Sequence, residues 1–505
     1  MINISQIYIP QLETALNRLT ISALLTLAAL LPSTATAQLT VLLSEESAVF
    51  PTNPNANIGF PENIERLVGR PDISTNGRYI GVEAELLAPA AEDDSAVIID
   101  LQTGTQTVLA RQGTTMLAGE PVGFVAESVV RVNNAGQAAF HAGNSAAIFW
   151  DGTTLTRLVG TGDPSPAGAP LSEYGGIFSQ TQLTNDGRVA GQYDSDGTGM
   201  IPDPDFDDFL SLGSTVLAAG NETFPGLFAP EGSTATGFIE SFTEFYLSAE
   251  GTHWISEIRT DEDGAYDSAI VVNGTAMAQQ GHTTHITPGG VSVTYDNTLD
   301  AAIAETGDWI TQSRSDNSID YTLVNGEVIF AEDEMAPNGD TFSSMSGVNI
   351  TSNGDYLSLW NTDSGNSILI LNEDTIVLTE GVTVNVDYNG DGVSEDLVLD
   401  NLPTGGFSLA DDGTLALLVS FNDLNDNRVG NALVTLDISE FIETESTVLL
   451  GDVNLDEVVN FLDIAPFISV LSMSGSQPEA DINGSGTVNF LDISPFIGVL
   501  TNSGS

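Results

Sequence analysis

The chain has 505 residues, with 70 Asp+Glu against 11 cationic residues, all of them arginine, for a formal net charge of −59. A polyanion of this kind repels phosphate backbones and anionic lipid heads, which excludes nucleic-acid binding and membrane-surface binding through basic patches. Its 41% hydrophobic content separates it from a disordered acidic tail, and the absence of cysteine excludes disulfides, thiol catalysis and thiolate metal sites.

Residues 20–31 form an apolar run preceded by Arg18 and followed by Pro32 and the small residues Ala35, Thr36 and Ala37. The run is too short to span a bilayer and fits the apolar core of a secretory signal cleaved after Ala37. Cleavage removes Glu13 and Arg18 together, so the charge is unchanged. No later segment approaches the length of a membrane helix, and the expected product is secreted or held at the cell surface through a partner.

From residue 38 to 440 there is no long helical period. Short apolar runs are bounded by Gly, Asn and Asp, which reads as strands and turns. A polar turn ending in glycine and followed by an apolar strand recurs seven times, at Gly77, Gly136, Gly187, Gly251, Gly307, Gly354 and Gly413, with a mean spacing of 56 residues. A second turn signal follows most of these, such as Asp151-Gly152, Asn273-Gly274 or Asn325-Gly326, where glycine admits the positive φ of a tight hairpin. Two turns per repeat imply four strands, and a four-stranded repeat of this length is the mark of a propeller blade. The expectation is mainly β, a seven-bladed β-propeller; other blade counts, paired β-sandwiches and a β-solenoid are the alternatives. The Asn-x-x-Gly-x-Ala-Ala-Phe wording at residues 133–140 is similar to tandem-repeat domains of secreted bacterial proteins with interchangeable surface anchors. Sialidase Asp-boxes also sit in propeller turns, but no repeat has their wording.

Acidic loops interrupt the repeats. Asp387, Asn389, Asp391 and Glu395 stand at positions 1, 3, 5 and 9 of a loop with Gly392 at position 6, which opens like a calcium loop and lacks its ordinary twelfth ligand. The aspartates of 194–208, among them Asp196, Asp203 and Asp205, and the acids of 261–267 fit no single loop and read as surface insertions. His282 and His285 lie in a Gly/Thr/Pro loop without the glutamate of a metalloprotease helix, and no nucleophile elbow, phosphate loop or dinucleotide fingerprint is present. Trp254, Trp309 and Trp360 fall in or beside the repeat phrases and read as core.

The C-terminal segment carries the most specific pattern. Asp452, Asn454, Asp456, Asn460 and Asp463 place oxygen-bearing side chains at positions 1, 3, 5, 9 and 12 of a loop, with the Val458 carbonyl at 7. Twenty-nine residues later Asp481, Asn483, Ser485, Thr487, Asn489 and Asp492 repeat the set. Calcium takes six to eight hard oxygens, and this spacing wraps alternate side chains round one ion. Each loop runs into an apolar stretch with proline near its start, a helix. The duplication resembles a type I dockerin, in the wording common among planctomycete bacteria, and covers residues 451–500. The resemblance implies two Ca2+ ions and a cohesin-like partner. Glu457 replaces the glycine expected at position 6 of the first loop, and Ser485 replaces an aspartate in the second, so both loops are expected to bind more weakly than an ideal one. Phe461, Leu462, Phe490 and Leu491 stand at positions 10 and 11, where cellulosomal dockerins often carry small hydroxyl residues, and imply a more apolar partner surface.

The domains read as a signal peptide (1–37), a repeat domain (38–440), a linker (441–450) and a dockerin-like module (451–505). The functional expectation is an exported, non-catalytic propeller that binds an extracellular polysaccharide or protein and is docked through a calcium-dependent module. The alternative is a secreted glycoside hydrolase, since dockerins usually carry such enzymes and paired carboxylates are invisible in sequence; a purely structural surface-layer protein is a third.

Overall fold

The computed structural model describes residues 39–442 except 51, 57–61, 90–93, 118, 124–128, 143–145, 168, 170–173, 175, 178–180, 195–207, 221, 229–237 and 263, together with 453, 459–473, 480, 482 and 488–502. The signal segment, most of the 194–208 loop and the linker lie outside the described residues.

The repeat body is a seven-bladed propeller of antiparallel sheets. Blade 4 shows the plan: Ile239–Leu247, Trp254–Thr260, Ser268–Val272 and Thr275–Gln279 follow one another from the axis outward. The same order holds in blade 1 (from Ile64–Ile73 to Thr105–Arg111), blade 2 (from Arg131–Val132 to Leu155–Gly160) and blade 6 (from Phe342–Ile350 to Thr375–Thr379). Blade 5 adds a short strand, the inner strand of blade 3 is broken into Gly176–Ile177 and Gln182–Leu183, and blade 7 differs at both edges. Its inner strand is broken into Glu395–Asn401 and Phe407–Leu409, and its outer strand is Thr40–Ser44, from the other end of the chain, paired with Arg428–Asp437.

The seven repeated glycines all sit between the first and second strands of a blade. Each has φ between +71 and +100°, a region that side chains with a Cβ avoid. Each donates its N–H to the carbonyl three residues back, from Ser74 in blade 1 to Ala410 in blade 7. Neighbouring turns also bond to one another: Asn76 N–H and Thr75 Oγ1 donate to the Asn134 side chain, Asn185 N–H to Ala249 O, and Asp411 N–H to Thr75 O across the 7–1 junction. The second turn signal is equally literal, with Asn273-Gly274 at φ 49 and 77° and Asn325-Gly326 at 51 and 91°.

Each blade is apolar on both faces, and the core accordingly lies between blades. Ile98 and Ala96 of blade 1 pack on Phe140 and Val132 of blade 2; Ile310 and Phe330 of blade 5 pack on Phe342 and Trp360 of blade 6. The sandwich between blades 7 and 1 joins Leu43, Leu418 and Leu433 to Ile80, Val82 and Ile99. Trp254, Trp309 and Trp360 are 8%, 3% and 0% exposed, so these aromatics are core, as expected.

One position on the second strand bridges blades by side chain. Five residues after the turn glycine, Gln192 and Gln312 donate to the carbonyls of Phe242 and Met345 on the next blade. In blade 2 that position is His141, 3% exposed, whose Nε2 has no partner among the described residues. Burial pushes its pKa down to about 4. The unfolded chain therefore takes up this proton first, near pH 6.5, and the contribution present above that pH is lost as pH falls toward 4. About 3 kcal/mol is involved. Urea unfolding of the wild type and His141→Gln at pH 7 and pH 4 should show the wild type losing about 3 kcal/mol more than the variant; equal losses would mean that His141 does not titrate in the fold.

Candidate functional site

The inner strands of a propeller line its axis, and here they carry polar residues. The first strand of blade 1 shifts register between Val68 and Asp72, with Gly69 at φ 73°, and this bulge turns Arg70 into the axis. Arg70 meets three other blades there. Its Nη1 lies 3.2 and 3.3 Å from the two Asp300 oxygens, its Nη2 donates to Val348 O at 2.7 Å, and its Nε donates to Phe407 O at 3.1 Å. The guanidinium carbon also stands 5.8 Å from the Phe407 ring centre. Asp300 accepts in addition from Tyr246 Oη at 2.7 Å and from Val348 N–H at 3.0 Å. Burial, with Asp300 beside it, pushes the Tyr246 phenol well above its usual range, so it stays a donor. A second arginine acts alike between blades 1, 2 and 3, Arg131 bonding Asp72 at 2.9 Å and Thr181 O at 3.3 Å.

Beside Arg70 lies a cavity of about 850 Å³, lined by inner strands of blades 1, 4, 5, 6 and 7, by the 402–406 break in blade 7 and by the two strands of that blade that follow it, Thr414–Asn422 and Arg428–Asp437. Arg66, Arg70 and Arg428 line it, with Asp300 and Asp400 as the acids. Sequence reasoning singled out none of these residues. Their partners are far apart in the chain, 230 residues for Arg70 and Asp300, and the scarcity of arginine was the sole signal that could have marked them.

The Asp387 loop lies at the edge of blade 7. Asp387 Oδ1 and Oδ2 accept from the N–H groups of Asp391 and Gly392 at 3.1 and 2.8 Å, Asn389 Oδ1 accepts from Asp391 N–H, and Asp391 Oδ1 accepts from Val393 N–H. Burial, with Asp391 and Asp387 nearby, raises Glu395, whose Oε2 accepts from Tyr388 N–H. Tyr388 fixes this loop to the ring closure: its hydroxyl donates to Glu45 O and Asn431 O at 3.2 Å, and its carbonyl accepts from Ser44 Oγ at 2.9 Å. Four candidate ligands thus stand on one short loop. Among the described residues no three His, Asp or Glu side chains form a ready-made metal shell.

In the C-terminal module the structure describes Asn460, Asp463, Asn489 and Asp492; Asp452, Asn454, Asp456, Val458, Asp481, Asn483, Ser485 and Thr487 lie outside the described residues. The two halves match. Asp463 and Asp492 are both 0% exposed and accept from Asn460 and Asn489 N–H at 2.8 Å. The Asn460 and Asn489 side chains accept from Leu462 and Leu491 N–H, opening the helices α1 (Ile464–Met473) and α2 (Ile493–Asn502). Phe467 and Phe496 stack with ring centres 4.0 Å apart at 7°, so the duplicated helices face each other across equivalent residues. Outside this small core Leu462, Phe490 and Leu491 are 67%, 80% and 74% exposed.

The histidine loop gathers no metal pair. His282 stacks on Phe228, His285 lies tilted at 48° to Tyr321 with ring centres 6.1 Å apart, and burial lowers the pKa of His285. In the 261–267 stretch Asp261 accepts from Phe238 N–H, and Asp267 pairs with Arg259.

Residues 450–499 match the family model of the Dockerin type I domain, and the chain therefore carries such a domain at its C-terminal end. No curated protein matches the chain. Among solved structures, the Dos1 propeller is 10% identical over 73% of this chain and 78% of its own, with a TM-score of 0.35. PorZ, a bacterial surface component of the type-IX secretion system of Porphyromonas gingivalis, is 11% identical over 75% of this chain and 48% of its own (TM-score 0.40). The β-propeller domain of the Trilobed protease from Pyrococcus furiosus is 11% identical over 74% and 94% (TM-score 0.38).

The axial bonds give a direct test. Removing one partner of a buried ion pair leaves an uncompensated charge, a loss of about 3–5 kcal/mol. Asp300→Ala should destabilise the propeller by an amount of that order in urea unfolding, and Arg70→Met with Asp300→Leu should recover much of it. An Asp300→Ala chain as stable as the wild type would show that the Arg70 contacts do not hold the blades.

Proposed function

We propose that the chain is an exported, non-catalytic propeller that binds an extracellular polysaccharide or protein and is docked to a surface or extracellular complex by its C-terminal module through calcium and a cohesin-like partner. The observation that carries this reading is the duplicated apolar pair on the docking module. Leu462 and Leu491 each stand five residues before the stacked Phe467 and Phe496, both largely exposed, with Phe490 more exposed still. Large apolar side chains clustered on so small a module suit burial against another protein. Calcium would be held by Asp452, Asn454, Asp456, the Val458 carbonyl, Asn460 and Asp463 in one loop, and by Asp481, Asn483, Ser485, Thr487, Asn489 and Asp492 in the other. A third ion would lie in the Asp387, Asn389, Asp391 and Glu395 loop. All these donors are hard oxygens, the set calcium prefers.

Export is supported by the apolar run at residues 20–31. Among the described residues no helix is long and apolar enough to cross a membrane. The binding reading is favoured over the hydrolase because the buried axial carboxylate, Asp300, is engaged by Arg70, Tyr246 and a backbone N–H, which leaves it poorly placed for proton transfer to a substrate.

Calorimetric titration of the full chain with calcium is the test. The expected result is saturable binding, with two sites lost in Asp452→Ala/Asp481→Ala and one in Asp387→Ala/Asp391→Ala. Absence of any saturable site in the unsubstituted chain would remove calcium, and calcium-dependent docking with it, from the account.

A further inference from the structure

Between blades 1 and 2, outside the inner strands, lies a groove of about 260 Å³. Blade 2 contributes Trp150, at the end of its third strand, and the backbone of the Ala135-Gly136 turn. Blade 1 contributes Tyr79, Asp100 and three threonines at alternate positions, Thr103, Thr105 and Thr107, of which the last two share one face of its outermost strand. The four tryptophans of the chain divide here: Trp254, Trp309 and Trp360 are core, and Trp150 is half-buried. Tyr79 opens a second strand, the place taken by Trp254, Trp309 and Tyr356 in blades 4, 5 and 6; those three are buried, and Tyr79 is half-buried. Its ring is held in place from two sides. A Cβ at Gly136 would lie 2.8 Å from Tyr79 Cζ, and the Arg78 guanidinium carbon stands 4.7 Å from the ring centre. Arg78 also donates to both oxygens of Asp100, at 3.1 and 2.7 Å, so the one carboxylate of the groove is neutralised.

We infer that this groove binds one pyranose ring of a neutral polysaccharide, stacked on Trp150 with its hydroxyls on Asp100, Thr103 and Thr105. The inference rests on the reading of the propeller as a binding module and names the site and the ligand class. An indole offers a flat apolar surface to the C–H face of a sugar ring, while hydroxyls that both donate and accept, beside a carboxylate that only accepts, match the ring's polar edge. Thr103 Oγ1 donates to Thr105 Oγ1 at 2.9 Å, which leaves the Thr105 proton for a ligand. The space is smaller than the about 300–1,000 Å³ that encloses a whole drug-sized ligand, and its rim at Thr103, Thr105, Ala135 and Gly152 is exposed, so one ring enters and its neighbours stay in solvent. Charge decides against an acidic polysaccharide, because Arg78 is already paired and a net charge of −59 repels polyanions.

The test uses the full chain, with calorimetry and acrylamide quenching of tryptophan emission. The probes are cellohexaose, mannohexaose, laminarihexaose and xylohexaose, compared with hexagalacturonate and a proline-rich decapeptide. Three of the tryptophans are at most 8% exposed, so quenching reports on Trp150. At least one neutral hexaose should bind and shield that emission, with affinity reduced about tenfold or more in Trp150→Ala and in Thr103→Val/Thr105→Val. It should be unchanged in Met335→Ser, a largely exposed position after the outer strand of blade 5. Unfolding of the threonine variant at the wild-type temperature excludes a folding defect as the cause of lost binding. Failure of all four neutral sugars, binding without shielding, or tighter binding of hexagalacturonate or of the peptide would overturn the inference. A hexaose bound as tightly by both variants would overturn it while leaving a binding propeller with its site elsewhere; release of reducing ends from any hexaose would instead overturn the non-catalytic reading.

Discussion

A blade of this protein cannot exist alone, because both of its faces are apolar, and everything else in the structure depends on the ring that covers them. The seven interblade sandwiches are of one kind, and the last is made by strands from opposite ends of the chain. Leu43 on Thr40–Ser44 packs into the sandwich that Leu418 and Leu433 share with Ile80 and Val82. Burying each such side chain contributes about 1.5–3 kcal/mol, so an open ring that exposes the two faces of this sandwich loses more than the about 5–15 kcal/mol of net stability of an ordinary domain. The pairing of Thr40 with Thr435 is thus less a detail of one edge than the condition for the other six junctions. Tyr388 reinforces it by bonding to Ser44, Glu45 and Asn431 at once.

Closure also creates the axis, which collects the inner strands of all blades and their polar side chains. Arg70 uses that geometry to tie blade 1 to blades 5, 6 and 7, and Arg131 ties blade 2 to both of its neighbours. Two of the exposed arginines, Arg66 and Arg428, line the space beside Arg70. The docking module stands apart in its physics: a small core of Phe467, Phe496, Val453 and Val488 with buried Asp463 and Asp492 and unusually apolar outer positions. That core is made of the module's own residues alone.

Much of this was legible wherever the code is local. A turn glycine at positive φ must be glycine for reasons of its own backbone, so seven such turns counted seven blades even where only one repeat keeps the full Asn-x-x-Gly-x-Ala-Ala-Phe wording. The dockerin repeat was legible for the same reason, since its spacing is a property of consecutive residues. What depends on closure was hidden. Nothing in the residues of Thr40–Ser44 says that their partner is Arg428–Asp437, and nothing near Arg70 announces an aspartate 230 positions away. The split inner strand of blade 7, which opens the cavity, reads in sequence as an ordinary Pro-Thr-Gly-Gly turn.

If the ring is one cooperative unit, its closing strand cannot open by itself. Native-state hydrogen exchange on the full chain measures this directly, by comparing the opening free energy of the amides in Thr40–Ser44 with those of the second strands Tyr79–Leu86 and Thr414–Asn422. A common value for all three is the expected result. A closing strand that exchanges freely while both second strands stay protected would contradict this, and would mean that the blades hold together without the closure.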